Sequence, residues 1–369
     1  MNNIEKTSMN LPYPKINIDR WFSQEVHEEE LKHLFNAPNL LKYSGHELIV
    51  PNNNDYWVPP QLDNRWIVVN KDGKTELVSN VCLHRQAPIV EGKGNSAFFT
   101  CKVHCWNYNN KGKLRSAPLF NDVDGELEKK ELYNWNGLLL QGGVPGFTLK
   151  DAGVDDIVDF SKYHYAFTDT LEQDYNWKSF SEIYLENYHI FAIHPGFNGF
   201  VDCNNQSWFM HESGSVQRVG MKETLDTIAG SKCFEDYQKL LLKAFEGRMP
   251  RLGAVWIYLY PNIMIDWYPG VIVVSTIHPV SPQKCVNLVD YFFETEIYEK
   301  CPEFFEASKV MYDEVAVEDS FASGYQDKGR RALYLNGETL SGPMELNQEI
   351  GVKGLYEWIR KTHPRQSEQ

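Results

Sequence analysis

Four residues in the first half of the chain combine the ligand types that soft metals prefer. Cys82 and His84 stand two apart, Cys101 and His104 three apart, and sixteen residues separate the pairs. That interval holds a strand, a turn and a strand back, so two tips of one small β domain can meet. Together they would present two thiolates and two imidazoles. Zinc accepts such a set, but its usual loops keep like ligands together, as C-x₂₋₄-C and H-x₃₋₅-H. Here each loop gives one of each. That suits a [2Fe–2S] cluster with both cysteines on one iron and both histidines on the other. Replacing two thiolates by neutral imidazoles removes negative charge, favours the reduced form and lifts the potential to ~−150 to +300 mV. Zinc stays the alternative.

A second group lies in NWKSFSEIYLENYHIFAIH, residues 176–194. Read as one helix, it puts Glu182, Glu186 and His189 at i, i+4 and i+7 on a shared face. His194 falls five residues after His189, about 140° round an ideal helix. For both histidines to reach one ion the helix must loosen or end, and Pro195-Gly196 supplies an ending. Two histidines and one carboxylate would make the facial triad of a non-haem Fe(II) oxygenase, with positions open for O₂. The plainer readings are a solvated acidic face or a buried ion pair. A di-iron carboxylate site is a further alternative, because Glu30 and His33 repeat the Glu-x-x-His spacing of Glu186 and His189. The run HEEELKH around Glu30 reads, however, as a surface face.

The elements that must position these groups follow from texture. Residues 18–36 read as a helix with an acidic first turn, ended by Asn36 and Pro38. From about 43 to 143, short apolar runs alternate with Asn, Asp and Gly clusters, the pattern of an all-β unit with hairpins. Residues 150–160 are acidic and turn-rich. From about 207 to 293 the chain is strand-like, apart from a helix across 233–246, as a curved antiparallel sheet would be. Residues 302–328 read as a long helix and 351–362 as a short terminal one. The expected fold class is α+β, an all-β unit followed by an antiparallel-sheet unit with helices.

Composition agrees. The 369 residues suggest roughly two domains, and 42% apolar with 14% aromatic residues gives ample core. The formal charge of −14 is uneven: residues 1–150 carry 17 acids and 17 bases, residues 151–369 carry 33 and 19. Such a chain repels phosphates, against nucleic acid and anionic membrane as partners. No run of 18 apolar residues occurs, and the first residues lack a basic, then apolar, leader. Seven cysteines in a long chain point to metal or redox chemistry in a reducing, cytoplasmic compartment rather than a disulfide framework.

The residues around the ligands carry a resemblance. NVCLHR and CKVHCWNYNNKGKL resemble the CxHR…CxYHGWxYDxxGxL signature of Rieske domains in ring-hydroxylating oxygenases, with Val103 and Cys105 where Tyr and Gly are usual. Cys105 is expected as a packed thiol beside the cluster, not a ligand. NWK…ENYHIFAIHP resembles the catalytic segment of the α subunits in that family. WFSQEVHEEELKHLF looks like its entry helix, and PNIMIDWYPGVIVVSTIHPVSP like its helix-grip-like catalytic sheet.

The resemblance implies a Rieske [2Fe–2S] domain at 41–150 and a catalytic domain at 151–369, with the helix of 1–40 packing on the latter. It implies cluster ligation by Cys82, His84, Cys101 and His104, and mononuclear Fe(II) on His189 and His194. The third iron ligand would come from a late helix, in an ED pair ahead of a Gln-containing turn. Glu318-Asp319 before Gln326-Asp327-Lys328-Gly329 fits, so Asp319 is favoured over Asp313, Glu314 and Glu318. Glu186 matches an acid that bridges cluster and iron between subunits of a head-to-tail homotrimer, His104 of one chain meeting Glu186 of the next. Glu182 stands where Asn is frequent.

The implied function is the terminal oxygenase of a Rieske non-haem iron system, hydroxylating an aromatic or other small organic substrate with O₂. Demethylation or quaternary-ammonium oxidation is the alternative within the family, and an electron carrier without oxygenase activity the alternative outside it. No GxGxxG occurs in a βαβ context, so electrons must come from a separate NAD(P)H-dependent reductase, with or without a ferredoxin. Pocket residues are expected from 200–260 and around Tyr184 and Asn187.

Overall fold

The computed structural model describes residues 15–225, 230–339 and 342–368. The first fourteen residues, over which the absence of a leader was expected, lie outside them. The α+β expectation holds. The all-β part builds a five-stranded sheet (order Lys93–Asn95, Asp55–Trp57, Trp66–Lys71, Lys74–Ser79, Lys129–Lys130) and a three-stranded one (Phe98–Thr100, Asn107–Asn109, Leu114–Ser116). A third small sheet has Leu138–Gln141 at its centre, paired with Lys42–His46 on one side and Tyr133–Trp135 on the other.

The rest of the chain is built on one seven-stranded antiparallel sheet. Its order is Tyr163–Gln173, Lys284–Glu294, Val271–Ser281, Ile263–Tyr268, Leu252–Leu259, Gly214–Met221, Val201–His211. Side chains alternate between the faces of a strand, and here both faces are covered. Val255, Ile257, Ile263, Ile265, Ile272 and Val274 pack with Tyr43, Leu138 and Leu140 of the small sheet. Trp256, Tyr268, Val273 and Tyr291 pack on the other side with Phe234, Phe304 and Met311 of the helices. Burial on both faces explains why these strands read as nearly continuous apolar runs.

Several elements depart from expectation. The first edge strand, Tyr163–Gln173, was not read; its residues are half-buried, so its pattern is weak. The N-terminal helix is broken at Ser23 into Asp19–Phe22 and Gln24–Glu30, and ends as a π turn over Leu31–Phe35. Ser23 caps the second piece, its side chain accepting from the Val26 N–H. Glu30 is buried rather than on the surface. Its carboxylate takes Arg20 at 3.3 Å and Lys178 at 2.8 Å, which removes it from any metal site. The late helix runs over Glu303–Leu335, so Gln326-Asp327-Lys328-Gly329 lies inside it and makes no turn.

Candidate active site

The two Cys/His loops are built alike. In each, the residue four after the cysteine (Gln86, Cys105) adopts positive φ, 56° and 58°, and returns its N–H to the cysteine carbonyl at 3.0 Å. The cysteine N–H in turn donates to the residue five on, Ala87 at 3.0 Å or Trp106 at 2.9 Å. Left-handed backbone favours Gly, which explains why Gly is usual where Cys105 stands. Cys105 is exposed, not packed as expected.

The loops bring their ligands together. Cys82 and Cys101 are buried, and the His84 and His104 rings lie 4.5 Å apart between centroids. His84 stacks on Trp106 at 5.0 Å. The buried Tyr108 hydroxyl accepts the Leu83 N–H at 3.1 Å and lies 3.4 Å from Cys82 Sγ. His84 Nδ1 is buried with no hydrogen-bond partner among the described residues, the condition of an atom awaiting a metal. Buried thiols, clustered imidazoles and that orphaned nitrogen fit a [2Fe–2S] cluster.

The second site forms where the expected single helix fails. Trp177–Tyr184 is helical, residues 185–189 turn, and Ile190–Ile193 makes one more helical turn. The Glu186 side chain accepts the His189 N–H at 3.0 Å and caps this turn. His194 precedes Pro195, which disfavours helical backbone there, and its φ of −115° and ψ of 69° end the element. The break separates the acids that a continuous helix would align. Glu182 is clamped by Arg330 and the Tyr356 hydroxyl, so it is a buried ion pair and not a ligand. Asp327 accepts the Asn176 N–H at 2.8 Å, tying the start of the same helix to Glu303–Leu335.

His189, His194 and Asp319 converge. His189 Nε2 and His194 Nε2 are 3.1 Å apart, and Asp319 Oδ1 lies 2.8 Å from His194 Nε2 and 3.5 Å from His189 Nε2. Three ligands at right angles around an ion, each ~2.1 Å from it, would stand ~3.0 Å apart. Each imidazole is held from behind by an acid: His189 Nδ1 is 2.6 Å from Glu186 Oε1, and His194 Nδ1 is 2.7 Å from Glu318 Oε2. Of the competing acids, Asp313 pairs with Lys309, and Glu314 bonds Ser231 and Cys233. The role of Glu318 was missed, because adjacent acids point differently only once the helix is placed.

Burial works against the Asp319 charge, yet hydrogen bonds from both histidines hold the acid down at about 2. Three carboxylates thus surround two imidazoles, and among the described residues no Lys or Arg lines the adjoining cavity. Against their burial, the acids raise both imidazoles, His189 to about 10, so protons on the rings balance the charge, and a divalent ion would take the place of those protons. The cavity, of about 70 Å³, is walled by Tyr184, Phe197, Trp256, Tyr268 and Tyr312. Tyr184 and Trp256 fall in the expected stretches; Asp266, Ser275, Asn287 and Tyr312 come from strands and a helix further on.

The profile of the Rieske [2Fe-2S] domain matches residues 28–126, and that of the ring hydroxylating alpha subunit (catalytic domain) matches residues 160–364. The chain belongs to the ring-hydroxylating oxygenase α-subunit family. It is a terminal oxygenase of the Rieske non-haem iron type, uses a [2Fe–2S] cluster, mononuclear iron and O₂, and needs a separate electron-donating reductase. A putrescine 2-hydroxylase of Ralstonia nicotianae is 38% identical over 98% of this chain and 99% of its own. A putrescine 2-hydroxylase of Bordetella bronchiseptica is 33% identical over 93% and 83%. The solved naphthalene 1,2-dioxygenase of a Rhodococcus species has a TM-score of 0.71 at 17% identity, covering 96% of this chain and 95% of that one. That last likeness speaks to fold alone. No helix among the described residues is long and apolar enough to cross a membrane.

Proposed function

We propose that this oxygenase hydroxylates a small aliphatic amine of the putrescine type. The observation that carries the catalytic part is the convergence of His189, His194 and Asp319, ligand atoms within 4.8 Å of one another, beside an aromatic cavity. The substrate part is supported by the two putrescine 2-hydroxylases, alike over nearly the whole chain.

In this reading His189, His194 and Asp319 hold the mononuclear iron, and Cys82, His84, Cys101 and His104 hold the cluster. When bound, the cluster supplies single electrons, and the iron, with positions left open by three ligands, supplies O₂ chemistry. Glu186 and Glu318 accept the Nδ1–H of the two imidazoles, which would leave each Nε2 lone pair free for the iron beside Asp319. The aromatic walls keep bulk water from the reacting carbon. Residues 41–150 serve as the electron-delivering unit and 151–369 as the catalytic one, with the N-terminal helices docked on the latter.

Copies assemble head to tail as a cytoplasmic homotrimer, His104 of one chain meeting Glu186 of the next. Exposed apolar side chains at both places support this contact: Leu83, Val103 and Phe120 beside the cluster loops, Tyr188 and Phe191 beside His189. A purely electron-carrying protein would have no use for such a triad beside a cavity. The test is His189→Ala with 1,4-diaminobutane as substrate. The variant should lose the mononuclear iron and turnover while keeping the reduced-cluster EPR signal; full turnover would overturn the assignment.

A further inference from the structure

We infer that Asp266 is the anchor for a protonated amino group of the substrate, in a cavity that selects alkylammonium ions bearing N–H donors over quaternary ones. The inference rests on the amine reading above and deepens it.

Asp266 sits on Ile263–Tyr268, in the middle of the seven-stranded sheet. Its face of that strand otherwise carries Met264 and Tyr268, and its cross-strand partners are Trp256 and Val273. A carboxylate among such neighbours costs free energy unless something pairs with it. Asp266 is 3% exposed. Its Oδ2 receives one long hydrogen bond, from the Tyr312 hydroxyl at 3.4 Å. Its Oδ1 is buried with no hydrogen-bond partner in reach among the described residues. Among the described residues no Lys or Arg lines the cavity that Asp266 shares with His189, His194 and Asp319.

A second acceptor lies in the same cavity. Asn287 Oδ1 is likewise buried and has no hydrogen-bond partner among the described residues. The neighbouring hydroxyls serve these oxygens only in part. Tyr184 has one proton, and the Ile257 and Ile265 carbonyls, each 3.2 Å from its hydroxyl, compete with Asp266 for it. Two orphaned acceptors, one of them able to carry charge, therefore face an aromatic enclosure. The missing partner is a cation with N–H bonds. A primary ammonium offers three donors and a positive charge, and its alkyl chain suits Phe197 and Trp256. A quaternary nitrogen has no N–H and would leave both oxygens unsatisfied.

Burial raises the Asp266 acid to about 7, with Asp319 adding to the rise and the Tyr184 and Tyr312 hydroxyls drawing it back. An arriving ammonium would favour the ionised form.

The experiment measures binding on the anaerobic, reduced holoenzyme by calorimetry, with 1,4-diaminobutane, n-butylamine and trimethylbutylammonium. Wild type should bind the first two and discriminate against the third. Asp266→Asn should weaken both amines by about 30-fold or more, and Asp266→Glu should restore part of the loss. Iron content and the cluster EPR signal should not change, because Asn keeps the acceptor for Tyr312. Wild type that binds trimethylbutylammonium as tightly as butylamine would overturn the selection whatever the variants do. Amine binding unchanged in Asp266→Asn would remove the anchor and leave the amine reading standing. Wild type that binds no amine would remove that reading and the anchor with it.

Discussion

Glu318 gives the sharpest test of how the iron site is held. Its Oε2 lies 2.7 Å from His194 Nδ1, with the carboxylate side chain 25% exposed. A charge-assisted hydrogen bond is worth ~1.5–3 kcal/mol, and partial exposure places this one at the lower end. The bond fixes the His194 tautomer, so its loss falls directly on the Nε2 that faces Asp319. Glu318→Ala should therefore weaken Fe(II) binding by about 10- to 30-fold, ~1.5–2 kcal/mol. Glu318→Gln keeps an oxygen acceptor without the charge and should lose only about 3- to 5-fold. The assay is anaerobic Fe(II) titration against a competing chelator, with the cluster EPR signal as the control for folding. If Glu318→Ala binds iron within twofold of wild type, the carboxylate does not orient the ring. If it binds iron more weakly only together with loss of the cluster, the effect is global rather than local.

Other outcomes follow from the same geometry. Glu186→Ala, assayed at saturating Fe(II), should retain both metals but slow substrate-coupled oxidation of the reduced cluster at least tenfold; unchanged kinetics would count against the bridge between chains. His46 is buried, and burial lowers its pKa to about 3 although its ring contacts the Asn136 carbonyl at 3.3 Å. Its neutral form is favoured in the fold, so stability is complete above the unfolded value of 6.5 and drains as pH falls toward 3. Between pH 7 and 5 that is ~2 kcal/mol, which His46→Asn should not lose; equal pH slopes in urea unfolding would refute it. Cys105→Gly should keep the full cluster signal and stabilise the protein by ~1 kcal/mol, by relieving a left-handed backbone. Loss of the cluster would instead make Cys105 a ligand.

Much of this was legible from residue types and spacing. The Cys82/His84 and Cys101/His104 pairs announce a metal because thiols and imidazoles seldom pair twice by accident, and local hairpin signals say how the loops meet. The His189–His194 interval requires a broken helix, and Pro195 supplies the break. What misled was periodicity. The 3.6-residue rule aligned Glu182 with Glu186 and His189, but the chain turns at Leu185 and sends Glu182 to Arg330, 148 residues away. The HEEELKH run reads as surface, yet Glu30 is drawn inward by Arg20 and Lys178, cations that no local pattern ties to it.

Which chemistry this protein can do is written in the order of its residues, because ligand identity and short-range spacing are local properties. That order also determined that Asp319 could join two histidines, though only by resemblance. Which acid of the late helix faces the imidazoles, and which stands behind one of them, depends on how the fold sets that helix against them. The fold alone placed Asp266 and Asn287 in the same cavity, from strands distant in sequence. A buried carboxylate looks like any other Asp in the chain until the sheet removes water from it and the lost hydrogen bonds are only partly replaced.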